Sequence, residues 1–121
     1  MAGVEIGMVR EVKRGEIYWL VWPEGRGSEQ IGTRPALIIQ NNLGNKFSPN
    51  TIVASITTAI DNRYSFHVKI KPLESQLPRE SLIDLAMVTT IDKTRLGTKC
   101  GELSPEKMAQ VDEAIKVSLG L

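Results

Sequence analysis

Gly27-Ser28-Glu29-Gln30-Ile31-Gly32-Thr33-Arg34-Pro35-Ala36-Leu37-Ile38-Ile39-Gln40 begins polar and glycine-bearing and turns apolar at Ala36. That change marks a loop handing over to a strand. The polar part continues a glycine-rich run over residues 23–33, where Gly25, Gly27 and Gly32 give the backbone unusual freedom. The apolar part predicts a strand over residues 36–40. Pro35 is tolerated where a strand begins. It also pushes Arg34 towards extended geometry. Arg34 is therefore expected at the mouth of the strand, beside the loop. An arginine so placed can fork two hydrogen bonds onto a phosphate. On these residues alone, an ordinary surface arginine is the simpler reading.

Working outward, residues 16–22 (Glu-Ile-Tyr-Trp-Leu-Val-Trp) are aromatic and β-branched, and Pro23 stops them. They predict a strand before the loop. Residues 41–50 are rich in asparagine, with Gly44 and Pro49, and read as a connection. Residues 51–57 predict a third strand with hydroxyls at its ends. Phe66, Val68 and Ile70 alternate with His67 and Lys69, the pattern of a half-buried strand. Residues 81–91 are another extended segment, and residues 92–95 fit a short helical turn.

One helix announces itself at the C-terminal end. Ser104 suits an N-cap, Pro105 the first helical position and Glu106 the positive end of the dipole. Met108, Val111, Ile115 and Leu119, with Ala114, make an apolar stripe, and Gly120 marks the stop. The stripe is expected to pack on the sheet. Together these elements predict a mainly β chain with helices, an α+β fold in which short strands make a small barrel rather than a helix-crossed parallel sheet. Residues 1–11 give no clear signal and are expected to be a disordered segment or extension, leaving one domain over 12–121.

Composition narrows the function. The 121 residues suit one domain, and the 41% hydrophobic and 24% charged fractions are those of a soluble globular protein. One cysteine, Cys100, excludes an internal disulfide framework and suits a reducing cytoplasm. With one histidine beside it, a closed Cys/His zinc site within the chain is excluded. No stretch is apolar for long enough to span a bilayer, and no secretory leader is expected. The net charge of +1 argues against a strongly basic nucleic-acid scaffold. Residues 31–101 nevertheless carry nine basic and five acidic side chains. This middle region permits an anionic ligand without demanding one.

Candidate chemistry is sparse. Triad chemistry would need His67 as base, but His67 falls on the polar side of an alternating strand and reads as an exposed strand histidine. The acids are dispersed, and no phosphate-binding glycine motif is present.

The stretch from Gly27 to Ile39 resembles the signature loop and strand of the MazF/PemK toxin family. Arg14-Gly15-Glu16-Ile17-Tyr18 resembles that family's first strand. Residues 51–57, Thr90-Ile91-Asp92 and the final helix follow in the family's order.

The resemblance implies a small SH3-like β-barrel with a C-terminal α-helix. It implies a sequence-specific endoribonuclease toxin that cuts single-stranded RNA without metal or other cofactor. The products would be a 2′,3′-cyclic phosphate and a 5′-hydroxyl. The family acts as a homodimer and is inhibited by a cognate antitoxin. Arg34 falls on the family's catalytic arginine and Thr57 on its catalytic threonine. Glu29 and Gln30 fall on loop positions that take part in RNA binding. Ala86-Met87 stands where many members carry an acid and a glutamine, so no acid–base role transfers to that strand. A non-catalytic gyrase-binding toxin and a peptide-binding SH3-like module remain alternatives on the same fold.

Overall fold

The computed structural model describes residues 11–22, 32–58 and 64–121. The elements run β1 (Glu16–Trp22), β2 (Gly32–Ile38), α1 (Asn42–Phe47), β3 (Asn50–Thr57), β4 (His67–Ile70), α2 (Pro72–Ser75), β5 (Ser81–Asp92), a 3₁₀ turn (Lys93–Arg95), β6 (Leu96–Glu102) and α3 (Pro105–Leu119). The strands form a single six-stranded sheet in the order β4-β5-β3-β2-β1-β6. Every pairing is antiparallel. The fold is thus mainly β with helices, as the sequence reading expects. Residues 1–10 and the loop positions Glu29 and Gln30 lie outside the described residues. Val12, by contrast, is buried in the core.

Alternation along the strands gives the sheet two apolar faces. Ile17, Leu37, Ala54, Ile56, Ile83 and Leu85 gather on one, where Val111 and Ala114 of α3 cover them. Tyr18, Leu20, Ala36, Ile38 and Val53 point to the other, joined by Val12, Ile91 and Leu96. Burying a large aliphatic side chain contributes about 1.5–3 kcal/mol, so these clusters dominate the stability. In β4, Val68 and Ile70 are buried and His67 and Lys69 half-buried, the predicted alternation.

β5 is bent. Against β3, Ala54 pairs with Val88 but the next residue, Ser55, pairs with Asp84. Leu85, Ala86 and Met87 therefore have no partner on β3. A bulge of this kind kinks a strand and deepens its twist. The bend lets one strand serve both ends of the sheet: Ser81–Asp84 pair with β4, while Ile91 reaches the second apolar cluster. β4 and β6 are the two edges of the sheet and do not pair, but β6 lies against α2, the helix that follows β4. A Cβ on Gly101 of β6 would collide with the Ser75 carbonyl, in the segment that follows β4. Only glycine lets the two backbones approach so closely.

Several elements differ from the sequence reading. β2 begins at Gly32, because its first residues pair with β1: Thr33 with Val21, Arg34 with Leu20 and Pro35 with Trp19. Pro35 falls one residue beyond the last pair with β3, where a missing N–H costs least. α1 replaces part of the expected connection, since Asn41 caps it by accepting from the Gly44 N–H at 2.8 Å. α2 and β6 were not anticipated. β6 has the sequence of an edge strand, Leu-Gly-Thr-Lys-Cys-Gly-Glu, with little apolar content. α3 is capped by Ser104 as expected, but Leu119 is exposed at its end and Ala114 takes the buried place.

Candidate functional site

Arg34 and Thr57 are brought together by register. β2 and β3 pair Ile38 with Val53, Leu37 with Ala54 and Ala36 with Ser55. Continuing two residues sets Arg34 opposite Thr57, and residues opposite each other in an antiparallel pair point to the same face. Both line one cleft of about 310 Å³, together with Trp19, Ile56, Thr58 and Arg79. Arg34 and Thr57 are half-buried, whereas Thr58 and Arg79 are exposed. The Nε of Arg34 is sealed from solvent, so the stem of the side chain is sunk into the protein. The cleft thus carries two guanidinium groups, three hydroxyls including Ser81, and an indole.

No carboxylate or imidazole lines it among the described residues. This is an arrangement of donors. A guanidinium offers five N–H groups and no acceptor, and a threonine hydroxyl donates to a phosphate oxygen at no cost in charge. Such a set suits an anionic group on which negative charge grows.

His67 is elsewhere and is not the exposed histidine that its alternation suggests. Its side chain is 11% exposed, and its Nε2 lies 3.4 Å from Asp84 Oδ1. Its Nδ1 accepts from the Tyr64 N–H at 3.1 Å. Both ring nitrogens are thereby engaged. In the strand rows His67 sits opposite Asp84 and Ser55, while Thr57 belongs to the row of Leu82 and Lys69. Ala86 and Met87 lie in the β5 bulge with exposed side chains and do not border the cleft.

A profile of the PemK-like, MazF-like toxins of type II toxin–antitoxin systems matches residues 13–119. An endoribonuclease MazF from Staphylococcus epidermidis is 44% identical over 111 residues, covering 91% of this chain and 92% of that one. The chain belongs to the PemK/MazF toxin family. Among solved structures, an endoribonuclease in complex with its cognate antitoxin from a mycobacterial species superposes on this toxin with a TM-score of 0.75. It has 25% identity, and the match covers 91% of this chain and 96% of that one. A MazF from Deinococcus radiodurans shares the fold at 21% identity and a TM-score of 0.74, over 93% and 99% of the two chains.

Trp19 and Arg79 are among the cleft residues of the toxin that the sequence reading misses. Trp19 looks like one more apolar strand residue, and Arg79, in Leu77-Pro78-Arg79-Glu80, sits in no motif. Only the pairing of β1 with β2 and the return of the chain into β5 place them beside Arg34.

The remaining polar pairs are structural. Glu16 accepts from the Lys13 N–H and the Tyr18 hydroxyl, at 2.8 and 2.9 Å, and pairs with Lys99 at 3.0 Å. Burial raises its pKa, but these donors together outweigh it and hold the carboxyl below its ordinary value. Lys99 is raised in turn, chiefly by its hydrogen bond to Glu16. No helix among the described residues is long and apolar enough to cross a membrane.

Proposed function

We propose that Arg34 and Thr57 carry the reaction of this RNA-cleaving toxin, a metal-independent transesterification on single-stranded RNA. The ribose 2′-oxygen attacks the adjacent phosphorus and the bond to the 5′-oxygen breaks. The products are a 2′,3′-cyclic phosphate and a 5′-hydroxyl. Arg34 forks onto the non-bridging oxygens as their charge grows, and Thr57 donates to the same phosphate and orients it. The 2′-hydroxyl proton leaves to Glu29, to the phosphate itself or to water, and the 5′-oxygen takes up a proton as it departs. Glu29 and Gln30 bind the RNA strand from the loop. The observation that supports this reading is the single cleft shared by two residues 23 positions apart, lined with donors.

The wider reading follows from family membership. One domain over 12–121 works in the cytoplasm as a homodimer, with the sheet curled as an SH3-like barrel. The close approach of Gly101 to Ser75 supports that curl. A cognate antitoxin covers the RNA cleft. The 25% identical mycobacterial endoribonuclease, described in complex with its cognate antitoxin, supports such a partner. The antitoxin segment is acidic or amphipathic and meets the positive middle region; charge reversal at Arg34, Lys46 or Lys69 weakens its binding.

The test is end chemistry. The purified toxin is incubated with diverse single-stranded RNA in EDTA, and cut positions and termini are mapped. Cleavage at a few short sequences, with cyclic phosphate and 5′-hydroxyl ends, is expected. RNA left intact, with a gyrase subunit or peptide retained instead, overturns the reading.

A further inference from the structure

The described arginines are not used alike. Arg14 donates to the Ile39 carbonyl at 2.8 Å and to Asp112 at 2.6 Å. Arg95 donates to the Val21 carbonyl at 2.9 Å. Arg34 belongs to the reaction centre proposed above. Arg79 is exposed on the rim of that same cleft, and no carboxylate or carbonyl among the described residues takes a hydrogen bond from its guanidinium. Its neighbour Glu80 is turned to Lys69, 3.4 Å away, and does not neutralise it. The backbone beneath is held: Ser81 Oγ donates to the Arg79 carbonyl at 3.0 Å, and the buried Leu77 donates its N–H to Ser75 Oγ at 3.1 Å. A charged side chain on a fixed base stands open to the cleft.

The size of the cleft says what it meets. Its 310 Å³ is at the small end for ligand sites, room for about one nucleotide. Trp19 supplies a flat apolar wall of the kind on which a base stacks. A nucleotide within a strand carries a phosphate at each end. Arg34 and Thr57 take one of them.

We infer that Arg79 holds the other, the phosphate adjoining the scissile linkage, and so fixes the position of the RNA strand along the cleft. The inference rests on the function proposed above. Arg79 is a binding group in it. It gathers substrate before the reaction and stabilises ground state and transition state alike, so its loss falls on KM.

The experiment is steady-state cleavage of a short RNA with one cut site, by wild type, Arg79→Ala, Arg79→Lys and Arg34→Ala. Arg79→Ala raises KM about tenfold at low salt, the scale of one charged hydrogen bond, with kcat within about twofold. The slope of log affinity against log salt becomes shallower by about 0.7, one phosphate's worth on a single strand. Arg79→Lys recovers part of the loss. The flanking linkages are then made neutral, one at a time, as methylphosphonates. At one of them wild type weakens to the level of Arg79→Ala, and Arg79→Ala weakens no further. A loss confined to kcat, or an Arg79→Ala penalty that persists on every neutral linkage, overturns the inference. If wild type cuts, Arg34→Ala does not, and Arg79→Ala matches wild type, the inference alone falls. If wild type cuts no RNA, the proposed function falls with it.

Discussion

Thr51 and Thr57 stand six residues apart on β3 and, by alternation, on the same side of it. Thr51 is fully buried, and its hydroxyl donates to Asn45 Oδ1 at 2.7 Å. Around it, Asn45 gives its Nδ2 to the Gln40 carbonyl at 2.9 Å and accepts from Gln40 Nε2 at 3.0 Å. The buried Lys93 donates to the Asn45 carbonyl. Thr57 ends the same strand in an open cleft beside Arg34 and Arg79. Each region holds a threonine hydroxyl and a long cation. In one, the polar groups bind each other and seal out water; in the other they border a space that a substrate can fill. Residue type does not separate a structural knot from a site. Access does.

The comparison is tested most severely at Arg34. Arg34→Ala should lower single-turnover cleavage by at least about a hundredfold, the usual cost of losing one well-aimed donor to a developing anion. Far-UV circular dichroism should stay unchanged. Arg34→Lys should rescue little, since a point charge cannot fork onto two oxygens. A variant that unfolds, or one that cuts normally, would erase the distinction between the two regions.

Thr57 comes next. Thr57→Ala should cost about ten- to a hundredfold, the worth of a hydrogen bond to a charged group, and Thr57→Ser should restore most of it. At Thr51 the order should reverse: Thr51→Ala should lower the thermal midpoint and leave the cleavage rate of the folded protein in place. Equal effects of the two alanines on rate would mean that the knot belongs to the site.

Much of the architecture could be read from the chain because it is written in local chemistry. The aromatic run of β1, the alternation of β4 and the Ser104-Pro105 start of α3 each fix an element through neighbouring residues. α1 hid because its signal is one asparagine cap among other asparagines, and β6 because an edge strand needs few apolar residues. At the site, Arg34 announced its position through Pro35. Its partnership with Thr57 came from the family resemblance and acquires a physical reason only from the β2–β3 register. Arg79 and Trp19 carry no local signal, since their shared wall exists only once β1, β2 and the turn into β5 are folded together.

The knot itself should answer in stability. Asn45→Ala leaves the buried Thr51 hydroxyl without its acceptor, while Gln40 Nε2 keeps its bond to the Asn50 carbonyl at 3.0 Å, a cost of about 1–3 kcal/mol. Urea unfolding should show that loss, while RNA cleavage well below the melting temperature stays within about twofold of wild type. A larger fall in activity than in stability would tie the knot to the cleft through β3.

The smallest expected effect distinguishes the two regions by pH. Burial pushes the Lys93 ammonium below the ordinary lysine pKa, and the Glu11 charge only partly opposes this. Between the lowered folded pKa and the ordinary unfolded one, the unfolded chain holds more protons, so stability rises with pH across that window. Below the folded pKa the penalty for burying the charge is felt in full. The Cys100 thiol works the other way: burial raises its pKa, and the unfolded chain loses that proton first as pH climbs. Lys93→Met removes the rising contribution and leaves the falling one. Urea midpoints for wild type and Lys93→Met between pH 7 and pH 10 should therefore converge, with the variant gaining most at the neutral end. Parallel curves would mean that Lys93 is solvated in the folded protein and that the knot is not sealed.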